Sequence, residues 1–142
     1  MICDEAHLLD AESLEGIRCL SNLGMDQTAP FCLLLLGQPT LRHRLRQGTF
    51  TALDQRIAVR YAIGGLTAPE TTSYVQHHLA LAGRSDTLFS DDAVALIHEV
   101  SRGLPRQVNN LAVSALIAAF ATKKGIVDES AARAAVAEIS SE

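Results

Sequence analysis

The pattern of hydrophobic and polar positions changes part-way along this chain. The first 63 positions contain three apolar runs of strand length, at 1–3, 31–36 and 58–63. The segments beside them have the spacing of short amphipathic helices, over 11–23, 40–47 and 52–57. The run at 31–36 is apolar at consecutive positions, which predicts a strand covered on both faces of a parallel sheet. Alternating strands and helices predict an α/β fold for this part.

After Gly64-Gly65 the pattern becomes helical throughout. Thr67 and Glu70 have the spacing of a capping box for the first of these helices. The four predicted helices cover 69–82, the segment between Ser90 and Arg102-Gly103, 105–122, and the segment from Asp128 to 139. We therefore expect a partial α/β subdomain over 1–66 and an all-α helical lid subdomain over 67–142.

Composition and charge narrow the class of protein. The chain has 142 residues, of which 48% are hydrophobic and 20% charged, so a buried core is expected. The net charge of −4 excludes a polycation that coats nucleic acid. No apolar run approaches the ~20 residues of a membrane span, and no basic segment opens a signal peptide. The three cysteines are never spaced C-x-x-C, which argues against a disulfide framework and a zinc site and favours a cytoplasmic location.

Polar side chains follow the first two apolar runs. Asp4 and Glu5 come directly after the first, and Gly37-Gln38 follows the second. Ligands of open α/β sheets bind at the carboxyl ends of strands, where carboxylates suit Mg²⁺ and an amide can bind a phosphate or a water. The plainer alternatives are two solvated acids before a helix and an ordinary turn.

Three arginines occupy positions where an anion would explain them. Arg56 and Arg60 flank the start of the third apolar run, and either can stabilise a phosphoryl group or simply pair with Asp54 or Glu70. Arg106 stands in the first turn of a predicted helix, where the helix dipole disfavours a cation, so a phosphate partner would account for it.

In order and spacing, four segments resemble the second half of an AAA+ ATPase, in the branch of ExeA-type secretion ATPases, transposition helpers and origin-recognition-like proteins. The segments are 2–7 (Walker B), 33–41 (sensor 1), 53–60 (arginine finger) and 101–110 (sensor 2). The resemblance covers nearly the whole chain. It implies the C-terminal part of a P-loop AAA+ parallel sheet with flanking helices, followed by a helical lid.

The same resemblance implies a role for each candidate residue. Asp4 would help hold Mg²⁺ and Glu5 would activate water, while Gln38 would sense the γ-phosphate of ATP. Arg56 or Arg60 would reach the nucleotide of the next subunit of a homo-oligomer. Arg106 would contact the nucleotide of its own subunit.

One departure from the family concerns lysine. The family holds phosphates with a Gly-rich loop that ends in Gly-Lys-Ser/Thr, ahead of Walker B. The lysines of this sequence are Lys123 and Lys124, far from such a motif. We therefore expect the isolated chain neither to bind nor to hydrolyse ATP measurably.

Two partner classes are compatible with these features. A basic cluster of Arg42, Arg44 and Arg46 can contact phosphates of double-stranded DNA, although a solvated helix face explains it equally well. The first hypothesis is an ATP-driven oligomeric switch that assists a DNA transposase. The alternatives are an ExeA-type ATPase accessory to a secretion system, and a truncated remnant without catalysis.

Overall fold

The computed structural model describes residues 1–22 and 31–139. The chain forms two compact units, Met1–Ala62 and Ile63–Glu142, which we call the α/β unit and the helical unit. No helix in the described ranges is long and apolar enough to cross a membrane. The fold is mostly helical with a small parallel sheet, as the sequence predicted.

Two short parallel strands organise the α/β unit. Strand β1 (Ile2–Cys3) pairs with β2 (Leu34–Leu35), with Ile2 opposite Leu34. The Leu36 N–H donates to the Cys3 carbonyl at 2.9 Å, which continues the ladder beyond the strands. Because the strands are parallel, the chain leaves both of them at the same edge of the sheet.

Three helices pack against this pair of strands. They are α1 (Ala11–Ser21), α2 (Pro39–Leu45) and α3 (Thr51–Asp54). The predicted cap of α1 is confirmed, since Asp10 accepts the Ser13 N–H at 2.8 Å. Hydrogen bonds from the Ser13 side chain and backbone hold the pKa of Asp10 below its usual value. Leu23, the last residue of the helix predicted over 11–23, lies outside the described residues.

Two strand predictions differ from the described chain, one in its extent and coverage and the other altogether. β2 is shorter than 31–36, and its surface is not covered on both sides, because Leu34 is 47% exposed while Leu35 is half-buried. The segment 58–63 forms no strand, and Tyr61 in it is 89% exposed. A strand needs a hydrogen-bonding neighbour, and among the described residues the two strands pair only with each other.

The helical unit contains the predicted helices. They are α4 (Ala68–Leu81), α5 (Asp91–Ser101), α6 (Pro105–Ala121) and α7 (Glu129–Ile139). Their caps are confirmed: Glu70 accepts the Thr67 N–H at 2.8 Å and Ser90 accepts the Ala93 N–H at 3.2 Å. Asp128 caps α7, and the Lys124 ammonium keeps the pKa of this carboxyl well below its usual range.

Small and aliphatic side chains form the core of the helical unit. Alanines let α6 and α7 approach closely, since Ala115, Ala132 and Ala135 are all completely buried. The buried Thr71 hydroxyl donates to the Thr67 carbonyl and lies 2.9 Å from Nδ1 of His98. Because that hydroxyl proton is already used, the Thr71 oxygen accepts a hydrogen bond from Nδ1–H of His98, and both groups have a partner.

A close backbone crossing joins the start of the helical unit to the turn after α5. The Leu66 N–H donates to the Gly103 carbonyl at 2.8 Å. A Cβ added to Gly103 would lie 1.9 Å from the Leu66 carbonyl oxygen, and Gly103 has φ +69. Arg102 before it is also left-handed, with φ 51, so this turn needs a residue without a side chain at 103.

We expect Gly103→Ala to destabilise the helical unit much more than Gly83→Ala. Both glycines have positive φ, but nothing lies within 4 Å of a Cβ at Gly83. Gly83→Ala should therefore cost about 1–2 kcal/mol of unfolding free energy for backbone strain alone. Gly103→Ala should cost at least about 2 kcal/mol more because the Leu66 backbone must move. Urea unfolding measures both variants, and equal losses would contradict the steric role of this crossing.

Candidate functional site

The two acids predicted to carry chemistry lie directly after β1. Asp4 and Glu5 are exposed, and the Asp4 carboxylate accepts the Glu5 N–H at 2.8 Å. Glu5 has φ 51, a left-handed conformation that is costly for a residue with a side chain. This strained residue turns the chain into the 3-10 helix Ala6–Leu8. The turn keeps both carboxylates at the carboxyl end of the strand.

Gln38 lies at the same edge of the sheet. The Ala6 N–H donates to the Leu36 carbonyl at 2.8 Å, so the turn after β1 is bonded to the end of β2. Gln38 follows two residues later as the N-cap of α2. Its backbone N–H donates to Nδ1 of His7, with 3.4 Å between the two nitrogen atoms. The structure thus brings the Asp4-Glu5 turn and the Gln38 turn together, as expected for parallel strands.

His7 is a site residue that the sequence analysis did not single out for this site. Its side chain is only 10% exposed, and Nδ1 lies 3.3 Å from Oε2 of Glu5. A Cβ on Gly37 would lie 3.1 Å from the His7 backbone nitrogen and 3.4 Å from Nδ1. The available signal was the glycine that follows the best apolar run, because a glycine after a strand often permits a close approach.

The basic cluster separates into two kinds of arginine. Arg44 donates to the carbonyls of His7 at 2.9 Å and Leu9 at 2.7 Å, so its guanidinium holds the 3-10 helix in place. The guanidinium groups of Arg42 and Arg46 are exposed and make no hydrogen bond or ion pair with any residue the structure describes. Two of the three arginines are therefore available to an anionic partner.

Arg56 and Arg60 are both exposed but differently held. The Arg56 guanidinium donates to the Asn22 side chain at 2.7 Å, at the end of α1. Arg60 forms an ion pair with Asp54 at 2.9 Å and also donates to the Asp54 carbonyl. Arg60 thus forms the surface ion pair with Asp54 that the sequence offered as the alternative to phosphoryl binding. Among the described residues the Arg56 side chain has one partner, the neutral Asn22, so it is the easier of the two to redirect.

Arg106 lies in the helical unit. It is the second residue of α6, directly after Pro105, and is exposed. Its guanidinium makes no hydrogen bond or ion pair within the part of the chain that the structure describes. A positive charge at a helix N-terminus with no internal partner is suited to bind an anion.

The acids fit a weakly held Mg²⁺ better than a cage of protein ligands. In the described residues no group of three His, Cys, Asp or Glu side chains could hold a metal ion. The carboxylate of Asp4 is exposed, and an Mg²⁺ bound there would take its other ligands from water and phosphate oxygens. Such a site is typical of Mg²⁺ that arrives with a nucleotide.

Comparison with known proteins gives a relative for most of the chain. No protein-family model matches the chain. Over 121 residues, 85% of this chain, it is 38% identical to General secretion pathway protein A of Aeromonas hydrophila. The matched segment is 22% of the length of that relative.

Solved structures define the fold. Two RuvB variants from Thermotoga maritima superpose on 94% of this chain with TM-scores of 0.65 and 0.67, at 19% identity and over 42% of the RuvB chain. The fold is that of the C-terminal part of an AAA+ module.

We expect Arg44→Ala to destabilise the α/β unit by about 2 kcal/mol, because two carbonyls lose a charged donor. Arg42→Ala and Arg46→Ala are the matched controls and should stay within about 0.5 kcal/mol of the parent. Hydrogen exchange of the Ala6 and Leu36 amides under urea reports the stability of this unit. A loss of equal size in all three variants would show that Arg44 has no special structural role.

Proposed function

We propose that this chain supplies the water-activating and phosphate-sensing part of an ATP-hydrolysing AAA+ module that works as a homo-oligomer. The observation that carries the proposal is the hydrogen bond from Ala6 to Leu36, which holds the Glu5 turn beside the Gln38 turn. An acid and a neutral hydrogen-bonding amide at one sheet edge are the groups that an in-line attack by water requires. The 38% identity to General secretion pathway protein A also supports this assignment.

In this proposal each residue has one task. Mg²⁺·ATP, when bound, supplies the γ-phosphorus that water attacks. Glu5 accepts a proton from that water as its oxygen bonds to phosphorus and the bond to the ADP oxygen breaks. Gln38 orients the water or γ-phosphate through its exposed side-chain amide. Asp4 holds the water shell of the metal ion through its carboxylate.

Three arginines then complete the charge balance. Arg56, whose one partner among the described residues is Asn22, reaches the nucleotide of a neighbouring subunit. Arg60 is the alternative finger after release from Asp54. Arg106 contacts the phosphates of its own subunit from the first turn of α6. A finger supplied by a neighbour makes hydrolysis depend on assembly.

The relative favours a secretion-related role over transposition. General secretion pathway protein A carries the secretion pathway in its name and shares 38% identity with this chain over 121 residues. We therefore propose an ATPase accessory to a secretion system as the role, with the transposition helper as a second candidate.

A chimera tests the catalytic assignment. The chain replaces the matched segment of General secretion pathway protein A, so that the rest of a module is present. We expect the chimera to hydrolyse ATP and Glu5→Gln to lower its kcat by about 10²–10⁴-fold. Changing the arginine that serves as the finger, either Arg56 or Arg60, to Ala should lower kcat by about 10³-fold or more. Steady-state phosphate release measures these rates.

The matched control is Glu12→Gln, which removes an exposed carboxylate from the first turn of α1. It should leave kcat within about twofold of the parent chimera. A folded chimera with no turnover, or one in which Glu5→Gln and Glu12→Gln behave alike, would count against the proposal and favour a remnant without catalysis.

The second candidate function, a DNA-dependent transposition helper, is favoured by the two unpaired arginines of α2 and its end. Arg42 and Arg46 are exposed and have no partner among the described residues. Each can contact one backbone phosphate of double-stranded DNA without reading sequence. Arg44 makes no direct contact with DNA in this proposal, since its guanidinium already donates to two backbone carbonyls.

If DNA is a partner, we expect this chain to bind a 20-base-pair duplex with a binding constant that falls as the salt concentration rises. In a plot of the logarithm of the binding constant against the logarithm of the salt concentration, the slope should become shallower by about 2 when Arg42 and Arg46 are both changed to Ala. Fluorescence anisotropy between about 50 and 200 mM salt measures the slope. Arg18→Ala, which removes an arginine paired with Glu15, is the control and should change the slope little. No saturable binding at the lowest salt would exclude this candidate.

A further inference from the structure

One ring nitrogen in the candidate site lies near both a hydrogen-bond donor and a hydrogen-bond acceptor. Nδ1 of His7 lies 3.4 Å from the backbone nitrogen of Gln38 and 3.3 Å from Oε2 of Glu5. A backbone N–H can only donate a hydrogen bond, and an ionised carboxylate can only accept one. Nδ1 carries either a lone pair or a proton, so it satisfies one neighbour at a time.

The two contacts are therefore alternatives. When the ring proton is on Nε2, the lone pair of Nδ1 accepts the Gln38 N–H and repels the nearby oxygen of Glu5. When the proton is on Nδ1, His7 donates to Glu5 and the Gln38 N–H loses its acceptor. The two neutral forms differ only in which ring nitrogen carries the proton, and the contact that forms selects the form.

The surroundings keep the ring between its two neighbours. The His7 side chain is only 10% exposed, and Arg44 holds the His7 carbonyl at 2.9 Å. Gly37 packs against the His7 backbone so closely that a Cβ there would lie 3.1 Å from its nitrogen. These contacts fix the backbone of His7, and from there its nearly buried ring lies within reach of both Glu5 and Gln38.

We propose that His7 is a positioning residue that couples Glu5 to the Gln38 turn by making these two hydrogen bonds mutually exclusive. With the Gln38 turn docked on Nδ1, the Glu5 carboxylate is released from the ring and is free to accept a proton from water. With Nδ1 donating to Glu5, the carboxylate is hydrogen-bonded to the ring and the Gln38 turn loses its hydrogen bond to His7. This inference rests on the proposed function for its consequence, but the exclusivity itself is a property of the folded chain.

Hydrogen exchange of the Gln38 amide tests the exclusivity in this chain without nucleotide. His7→Asn keeps an acceptor oxygen near the position of Nδ1, whereas His7→Gln places its amide nearer the position of Nε2. We expect exchange of the Gln38 amide within about twofold of the parent in His7→Asn and about 3- to 10-fold faster in His7→Gln. Glu5→Ala removes the competing carboxylate and should slow the same amide by about 2- to 3-fold.

The slowing in Glu5→Ala is the decisive signature, because a merely structural histidine would not respond to loss of an exposed neighbour. The amides of Leu36 and Leu14, which donate to Cys3 and Asp10, report whether the unit stays folded. The exclusivity is overturned if those amides are unchanged while Gln38 exchanges at the parent rate in Glu5→Ala. It is also overturned if His7→Asn and His7→Gln exchange alike.

Turnover by the chimera separates this inference from the proposed function. We expect His7→Gln to lower kcat by about 3- to 10-fold with the KM for ATP unchanged, and His7→Asn to restore most of the loss. An active chimera in which His7→Gln leaves kcat unaltered would overturn the coupling alone. A chimera with no turnover beside the expected exchange pattern would overturn the proposed function and leave the exclusive contacts of His7 standing.

Discussion

The candidate site depends on the parallel pairing of two very short strands. The ladder between β1 and β2 continues through the Leu36 N–H to Cys3 and the Ala6 N–H to Leu36. These bonds set the register between two turns that lie 31 positions apart in sequence at His7 and Gln38. A shift of the register would move every side chain to the other face and separate the acids from the amide. The chemistry of the site is therefore a consequence of a few backbone hydrogen bonds.

Side chains that look like ligands also maintain this arrangement. Arg44 lies in a cluster of arginines that suggests phosphate binding, yet it closes the 3-10 helix by binding two carbonyls. Arg60 likewise neutralises Asp54 rather than standing free. A guanidinium offers five donors in a plane, so buried or half-buried carbonyls recruit it as readily as phosphates do. Charge along the sequence cannot distinguish these uses.

The helical unit follows a different physical logic. Its helices are specified locally, by caps such as Thr67 with Glu70 and by alanines that permit close packing of α6 on α7. Residues distant in sequence also meet in this unit, as at the turn of Gly103 against Leu66 and the bridge between Phe89 and Val127. Local signals of this kind act over three or four positions, and for this reason the sequence predicted all four helices with small errors at their ends.

The sequence by itself determined the helices, the parallel order of the first two strands, and the residues that can carry chemistry at their ends. Only the tertiary structure decided that 58–63 remains without a strand partner and that β2 leaves Leu34 exposed, because strand formation requires a neighbour that no local pattern specifies. It also decided that His7 sits between Glu5 and Gln38, and that Arg44 is occupied. Those outcomes depend on distances between residues far apart in the chain, and hydrophobic periodicity contains no information about them.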